Sequence, residues 1–195
     1  MKEHLYSKQL YPAQNELQGI IYTGHFHTPI GNMMMAATKD GLCLLEFEPE
    51  NMNGQDIVIL MKRLKGNVVQ GENDHVRQAK LELTEYFNGI RQKFDVALDP
   101  IGTDFQLRVW KGLQQIPYGT TVTYMDQTRS LGDLKAIRAV ASANGKNKIA
   151  IIIPCHRVIG SNGKLTGYAG GMERKRWLLD LERSYSKPHS ELTLF

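Results

Sequence analysis

Cys155 is the side chain in this sequence with the clearest potential for nucleophilic chemistry. It stands between Pro154 and His156, and Arg157 follows. A thiol near a histidine and a cation can be drawn toward its thiolate form, which is the reactive nucleophile. A lone cysteine is more commonly a buried structural residue, which offsets this argument. The residues alone therefore leave the catalytic and structural interpretations equally open.

The apolar run before Cys155, residues 149–154, predicts a strand that ends at Pro154. Neighbouring side chains of an extended backbone point to opposite faces, so direct contact between the Cys155 thiol and the His156 imidazole is not assured. If the two act together, we expect a water to bridge them.

Arg138 and Tyr124 lie on two short helices predicted at residues 123–131 and 134–144. A turn containing Gly132 joins these helices, a pattern typical of a helix-turn-helix. Arg138 could enter a nucleic-acid groove there or be a solvated arginine. Tyr124 could be a core aromatic with its hydroxyl at the surface. Glu182, on the last predicted helix, could orient a histidine or face water.

Two other groups of residues are weaker candidates for a site. The glycine-rich residues 160–171 lack the spacing of a phosphate-binding P-loop and instead predict a tight wall around a pocket. His25, His27 and Cys43 lie on neighbouring predicted strands but do not complete a metal-ligand set. We therefore expect neither a metal nor a cofactor.

The elements that must position these residues fall into two halves. Strands are predicted at 19–28, 32–38, 42–48 and 93–98, with helices at 56–65 and 75–88, which makes a small α/β domain. Residues 99–102 form a candidate linker. Beyond it the chain is mainly helical, beginning with a Thr103–Gln106 capping box and ending with a helix over 173–183.

Composition and charge narrow the class of protein. Of 195 residues, 42% are apolar and 23% are charged, and charged residues interrupt every apolar run, which excludes a membrane-spanning helix. Two cysteines and an N-terminus without an apolar secretory core favour the cytosol. Residues 1–101 carry 10 Lys/Arg against 13 Asp/Glu, whereas residues 102–195 carry 14 against 7. The basic second half suggests a polyanionic partner.

Specific motifs then occur in a fixed order through the second half of the chain. They are GTDFQ at residues 102–106, Val109-Trp110, IPYG at 116–119, Thr123-Tyr124, Arg138-Ala139-Val140, Asn144, Asn147, IPCHRVI at 153–159, GYAGG at 167–171, and Leu178-Leu179 with Glu182. In these motifs the chain resembles the O6-alkylguanine-DNA alkyltransferase family, also called methylated-DNA–protein-cysteine methyltransferases, over residues 102–183. The PCHRV motif followed closely by GYxGG is the most specific part of the match.

The resemblance implies a ribonuclease-H-like α/β domain over residues 19–99 and a mainly α domain with a helix-turn-helix over 100–183. An irregular arm at 1–18 and a flexible tail at 184–195 flank them. It implies repair of double-stranded DNA by direct, irreversible transfer of an alkyl group from guanine O6 to Cys155. The base would first be flipped out through the minor groove. O4-alkylthymine is a second candidate substrate, and the protein is expected to be a monomer.

The resemblance also implies roles for individual residues. The catalytic set would be Cys155, His156, Glu182 and Asn147, with His156 acting through a water, Glu182 orienting it and Asn147 as the hinge of the cysteine loop. DNA would be bound by Tyr124, Arg138, Thr123, Arg157 and Ser161, with Arg138 filling the vacated stack. The substrate pocket would be lined by Tyr168, Ala169, Val158 and Pro154. Lys148 stands where the family usually has proline, which predicts a less rigid loop with an added positive charge.

Two other functions remain open at the level of sequence. An alkyltransferase-like protein would bind the lesion without removing it, but in such proteins the reactive cysteine is replaced, whereas Cys155 is present here. A cysteine hydrolase using Cys155 and His156 would need an oxyanion hole and repeated turnover.

The C-terminal residues 191–195, Glu-Leu-Thr-Leu-Phe, suggest an additional partner. They resemble the peptide that binds the bacterial sliding clamp, commonly Gln-Leu-x-Leu-Phe, with Leu192, Leu194 and Phe195 as apolar anchors. Glu191 replaces the usual glutamine and should weaken binding. The alternative is that this segment folds back onto the protein's own surface.

Overall fold

The computed structural model describes residues 19–48 and 66–186 of the chain. The arm predicted at 1–18, the helix predicted at 56–65 and the clamp-like residues 191–195 lie outside the described residues. Within them, the structure confirms an α/β first half and a mainly helical second half.

The first half is built on a four-stranded sheet in the order β3-β2-β1-β4. Strands β1 (Gly19–Thr28), β2 (Gly31–Ala37) and β3 (Leu42–Phe47) form an antiparallel meander, in which Thr28 pairs with Gly31 and Met33 pairs with Phe47. Strand β4 (Gly66–Gln70), which the sequence analysis missed, pairs parallel to β1. Helix α1 (Asp74–Phe87) is capped at its N-terminus by Asn73, whose side chain accepts a hydrogen bond from the Val76 backbone N–H.

The strand predicted at residues 93–98 is wrong. Only Leu98 forms a bridge, to Leu42 of β3. The backbone N–H groups of Asp95 and Val96 donate instead to the buried carboxylate of Glu82, at 2.9 and 3.1 Å. The Glu82 carboxylate on α1 thus satisfies these two backbone donors, and the segment forms no ladder with a neighbouring strand.

The second half begins with helix α2 (Asp104–Leu113) after the predicted capping box, in which the Thr103 hydroxyl accepts from the Gln106 N–H at 3.3 Å. The two-residue strand β5 (Val122–Thr123) leads into α3 (Tyr124–Ser130), capped by Thr123. A 3-10 turn (Leu134–Ala136) precedes α4 (Ile137–Gly145). A second 3-10 turn (Cys155–Arg157), the strand β6 (Val158–Ile159) paired with β5, and α5 (Met172–Ser186) complete the described chain.

The two halves share one hydrophobic core. Buried residues of the sheet and α1 lie in the same cluster as buried residues of the helical half; its members include Met33, Leu45, Leu83, Trp110, Val140, Ile149 and Leu178. The predicted linker is held to the sheet, because the Asp99 N–H donates to the Leu42 carbonyl and the Asp99 carboxylate accepts from Thr38. Cross-domain packing therefore fixes the helical half relative to β3. None of the helices in the described part of the chain is both long and apolar enough to cross a bilayer.

Candidate active site and DNA-facing surface

Asn147 holds the loop that presents Cys155. Its Nδ2 donates to the Ile153 carbonyl at 2.8 Å and to the Cys155 Sγ at 3.3 Å, while its Oδ1 accepts from the Ile149 N–H at 3.0 Å. One side chain therefore joins the beginning of the loop to its end and to the thiol. This position corresponds to the hinge predicted at Asn147.

The strand predicted at residues 149–154 is wrong, because this segment is a tight turn. Ile151 has φ 69°, a left-handed conformation that a β-branched residue adopts rarely and at an energetic cost. Its side chain is fully buried, as are those of Ile149 and Ile153. The apolar run was correctly identified as core, but it bridges to β3 only at Ile149, and the Asn147 amide binds the Ile149 N–H and the Ile153 carbonyl.

Cys155 begins the 3-10 turn and is buried. Burial raises the pKa of its thiol, and the hydrogen bond from Asn147 and the positive charge of Lys175 oppose this increase only in part. The thiol is therefore protonated in the resting protein, and a reaction at Sγ requires a base.

His156 directly follows Cys155 in the 3-10 turn. It is fully buried, and its Nε2 lies 2.8 Å from Glu182 Oε1. Burial lowers the pKa of His156 despite the opposing effect of the Glu182 carboxylate, so the ring is neutral. Because a carboxylate accepts a proton donor, the proton resides on Nε2 and leaves Nδ1 as a hydrogen-bond acceptor. Nδ1 is buried and has no hydrogen-bond partner among the described side chains and backbone.

Glu182 is the centre of a buried network. Its Oε1 accepts from His156, from Arg157 Nη2 at 2.9 Å and from the Tyr86 hydroxyl at 2.8 Å. Its Oε2 accepts from Arg157 Nε at 2.9 Å and from the Gly119 N–H at 3.0 Å. Burial alone would raise the pKa of Glu182, but the bonds and charges of His156 and Arg157 outweigh it and lower the pKa to about 2.

The prediction that Arg157 binds DNA requires correction. Its side chain is only 7% exposed, and its guanidinium is occupied by Glu182 and by the Ile116 carbonyl at 2.7 Å. It also packs over the Tyr118 ring. A guanidinium held in this way is directed into the protein, and its charge is balanced by a carboxylate. The DNA-binding role predicted for Arg157 came from the family resemblance.

A cavity of about 310 Å³ opens beside Cys155. The glycine-rich loop forms one wall with Tyr168 and Ala169, as the sequence predicted for residues 160–171. Gly170 is required there, because a Cβ would lie 2.7 Å from the Tyr168 ring and 2.8 Å from the Phe47 ring. The other wall was not anticipated and comes from the end of β3; its residues are Glu46, Phe47 and Glu48.

Pro154 and Val158 are not among the residues that line this cavity. Pro154 lines a second, larger cavity of about 850 Å³, together with Trp110 and Tyr118. Val158 is fully buried and pairs with Val122, and its carbonyl accepts from Lys175 Nζ at 2.6 Å. The prediction that these two side chains line the substrate pocket is therefore wrong in this structure, since both pack into the scaffold around Cys155.

Two cations that the sequence analysis did not select hold the cavity walls in place. The buried Lys175 amino group donates to the carbonyls of Val158, Thr166 and Gly167, and burial lowers its pKa to about 8. The Arg174 guanidinium stacks 4.5 Å over Phe47 and donates to the Gly170 carbonyl at 3.0 Å. In the sequence both lie in a charged run, residues 173–176, that is typical of a solvated helix face.

Lys148 forms an ion pair with Glu46 of β3, with its Nζ 2.9 Å from Oε1. The backbone on either side is also bound to β3, since the Leu45 N–H donates to the Lys148 carbonyl and the Ala150 N–H donates to the Leu45 carbonyl, each at 2.8 Å. The added positive charge predicted at Lys148 is thus paired with a carboxylate of β3, and the loop is attached to the sheet.

A separate surface brings together three residues predicted to bind DNA. Tyr124, Arg138 and Ser161 line an open cleft of about 400 Å³ with Ile137 and Ala141. Arg138 is exposed on α4, and the Tyr124 hydroxyl donates to the Thr166 carbonyl at 3.4 Å. Thr123 serves as the N-cap of α3.

Helices α3 and α4 are fixed to each other by a reciprocal pair of amide bonds between Gln127 and Asn144, of 2.7 and 3.2 Å. Together with the cap at Thr123, this contact supplies a rigid platform for the exposed side chains of the cleft. Helices are thus present at the two positions that the sequence predicted, and the second is preceded by a 3-10 turn.

The histidines of β1 are engaged with neighbouring side chains, His25 with Glu48 and His27 with Asn32. Cys43 is buried, and burial and the nearby Asp99 charge raise its pKa to about 12. Within residues 19–48 and 66–186, no cluster of three or more His, Cys, Asp or Glu side chains could hold a metal ion.

Comparison with known proteins identifies related domains in both halves. Residues 21–100 match the family model for the ribonuclease-like domain of 6-O-methylguanine DNA methyltransferase, and residues 104–184 match the model for its DNA-binding domain. The methylated-DNA–protein-cysteine methyltransferase of Methanosarcina acetivorans is 44% identical over 164 residues, which span 84% of this chain and 99% of that one.

Solved structures show the same similarity. The Mycobacterium tuberculosis O6-methylguanine methyltransferase superposes with a TM-score of 0.74 at 41% identity, covering 87% of this chain and 96% of that chain. The same mycobacterial protein in complex with DNA gives a TM-score of 0.71 at 42% identity, covering 85% and 94%.

Proposed function

The chain belongs to the 6-O-methylguanine DNA methyltransferase family, and from that premise we propose that it repairs O6-alkylguanine in double-stranded DNA by taking the alkyl group onto Cys155. Its activity is that of a methylated-DNA–protein-cysteine methyltransferase. The observation that best supports the proposal is the pair of contacts around two consecutive residues, in which Asn147 donates to the Cys155 thiol and Glu182 accepts from the adjacent His156.

The proposed reaction is an in-line displacement at the alkyl carbon. A water between Sγ and His156 Nδ1 carries the thiol proton to the imidazole, and the sulfur electron pair forms the S–C bond. The C–O6 bond breaks with its electrons on guanine, which takes up one proton and is restored. The unpartnered Nδ1 and the raised pKa of Cys155 support this route, because the thiol needs a base and the base has a free acceptor atom.

Residues of the cavity would hold the flipped base. The Ala169 backbone N–H would lie near guanine O6, Tyr168 would form a wall, and the Tyr124 hydroxyl would bond the base. The cavity volume of about 310 Å³ matches the lower end of small-molecule sites. O4-alkylthymine presents a similar alkyl ether and is a second substrate to test.

The surface around Tyr124 and Arg138 would face the DNA through its minor groove. Removing a stacked nucleotide costs a few kcal/mol, and an inserted side chain offsets part of that cost. Arg138 supports this role because it is exposed on α4, at the rim of the cleft that Tyr124 and Ser161 line. Here α3 and α4 would act as a helix-turn-helix.

Transfer would occur once per protein. A thioether on a buried sulfur lacks an activated leaving group, so water does not regenerate the thiol, and each molecule is consumed. We expect the protein to act as a monomer in the cytoplasm. Both cysteines are unpaired, which fits a reducing compartment.

Residues 187–195 lie outside the described residues, and their sequence supports a further proposal. Leu192, Leu194 and Phe195 would anchor the chain in the peptide pocket of a bacterial sliding clamp. Such a tether would concentrate a single-use protein on newly replicated DNA.

Intact mass measurement after mixing with an O6-methylguanine duplex tests the proposed reaction. We expect a gain of one CH₂ group per molecule, located on Cys155. Cys155→Ser should gain nothing yet bind DNA, whereas Cys43→Ser, the matched control at the other buried cysteine, should react like the wild type. Lesion binding without any mass gain would indicate an alkyltransferase-like protein, and release of free alkyl product over many turnovers would indicate a hydrolase.

A further inference from the structure

Tyr86 connects the first half of the chain to the reactive network of the second half. It lies near the end of α1, it is fully buried, and its hydroxyl donates to Glu182 Oε1 at 2.8 Å across 96 residues of sequence. Oε1 is also the atom that accepts from His156. A side chain from the α/β half therefore shares an acceptor atom with the histidine beside Cys155.

The hydroxyl of Tyr86 is held in a fixed position. Its ring contacts those of Phe87 and Phe94 at centroid distances of 5.4 Å each and that of Tyr118 at 6.0 Å. Burial raises the pKa of Tyr86 well above its usual value, so the hydroxyl keeps its proton and acts as a donor to Glu182. Tyr86 does not line the cavity beside Cys155, and its hydrogen bond to the reactive network is the one to Glu182.

We propose that Tyr86 is a positioning residue for alkyl transfer, which fixes the Glu182 carboxylate and limits the negative charge that Oε1 presents to His156. This inference rests on the proposed function of His156 as the base. A carboxylate oxygen that accepts hydrogen bonds from several donors polarises each donor less than an oxygen that accepts a single hydrogen bond. With Tyr86 in place, Glu182 orients the imidazole without holding an extra proton on it, so His156 stays neutral and can accept the thiol proton.

Several other groups surround the same pair, and the charges among them must remain unchanged in any test. Around His156 and Glu182 are packed Tyr86 from α1, Tyr118 from the turn after α2, Cys155 and Arg157 from the 3-10 turn, Tyr168 from the glycine-rich loop and Lys175 from α5. The positive charges of Arg157 and Lys175 disfavour protonation of the His156 ring, whereas the Glu182 carboxylate favours it. Loss of one donor to Glu182 therefore shifts the balance toward the imidazolium form.

Tyr86→Phe removes this donor and leaves the ring packing intact. Glu182 keeps its bonds from Arg157, Gly119 and His156, so the variant should fold. Tyr118→Phe is the matched control, because it removes a buried hydroxyl from the neighbouring ring that has no partner among the residues the structure describes. Single-turnover transfer from O6-benzylguanine would be measured from about pH 5 to pH 9, together with the pKa of His156 by ¹⁵N NMR.

In Tyr86→Phe we expect the pKa of His156 and the pH of half-maximal transfer to rise together by up to about one unit, because a hydrogen bond to a charged group is equivalent to about tenfold in an equilibrium constant. Tyr118→Phe should match the wild type in both. Identical values in all three proteins, or a rate loss in Tyr86→Phe that is the same at every pH, would overturn the proposal. If the wild type took up no benzyl group, the proposed function would fail, while the NMR titration would still report on Tyr86.

Discussion

The Arg157 guanidinium lies against the Glu182 carboxylate with two N–O distances of 2.9 Å, and both side chains are buried. The pair keeps Glu182 ionised beside His156. Arginine presents its donors in a rigid planar fork, which suits a carboxylate that must also accept from other groups. Arg157, immediately after His156 in the chain, thus acts inside the protein and not on DNA.

Arg157→Gln should destabilise the fold without a specific effect on DNA affinity. Removing one member of a buried ion pair leaves the Glu182 charge uncompensated and costs about 3–5 kcal/mol. Arg138→Gln, an exposed arginine of the same half, should change stability by less than about 0.5 kcal/mol and weaken DNA binding. Urea unfolding and fluorescence anisotropy with duplex DNA measure the two effects. Equal stability of the two variants would show that Arg157 is not part of the buried network.

The stability of the protein should fall as the pH drops from about 4.5 toward 2. The pKa of Glu182 is lowered in the fold from 4.5 to about 2, so its ionised form stabilises the native state above pH 4.5 and this contribution is lost on protonation. A difference of this size corresponds to roughly 3 kcal/mol. Urea unfolding at several pH values should show the decline, and Glu182→Gln should lack that part of it. The carboxyl ¹³C shift of Glu182 in the wild type offers a check without the variant, and a midpoint near 4.5 would contradict the prediction.

Local sequence patterns, such as capping residues, predicted the helices of the second half well. The capping box predicted at Thr103 forms, Thr123 makes a second one with Asp126, and the helices begin directly after these residues. These features depend on contacts three residues apart, which the sequence contains in full. The wall formed by the glycine-rich loop was also predicted, because glycines allow the backbone to approach its neighbours closely. In the structure, a side chain at Gly170 would meet two aromatic rings.

Long-range contacts account for what sequence reasoning missed. Tyr86 and Phe47 reach the site from the first half, and each carries an ordinary core side chain with no local pattern that indicates a functional role. The apolar run at residues 149–154 fits a strand by composition, yet the amide of Asn147 folds it into a turn. The same segment also bridges to β3 at Leu45, and contacts of this range are decided only in the tertiary structure.

Binding to a bacterial sliding clamp should depend on the apolar residues of the C-terminal segment. Fluorescence titration of the peptide 187–195 against the clamp of the source organism should show saturable binding. Replacing Leu194 and Phe195 by alanine should weaken it by about tenfold or more, because buried apolar anchors dominate such interfaces. Glu191→Gln should strengthen it by restoring an amide donor. Binding that is unaffected by the double replacement would contradict the proposed contact.

Arg138→Ala should impair repair of duplex DNA far more than transfer from the free base O6-benzylguanine. The free base enters the cavity beside Cys155 without leaving a stack, so Arg138 has nothing to replace, whereas a flipped nucleotide leaves a gap that costs a few kcal/mol. We expect single-turnover repair of an O6-methylguanine duplex to slow by about tenfold or more, and reaction with the free base to stay within about twofold. Lys135→Ala, an exposed cation preceding α4, is the matched control for loss of charge alone. If Arg138→Ala slowed the reaction equally on both substrates, the defect would lie in the cavity. If Arg138→Ala and Lys135→Ala slowed repair of duplex DNA equally, Arg138 would contribute only its charge.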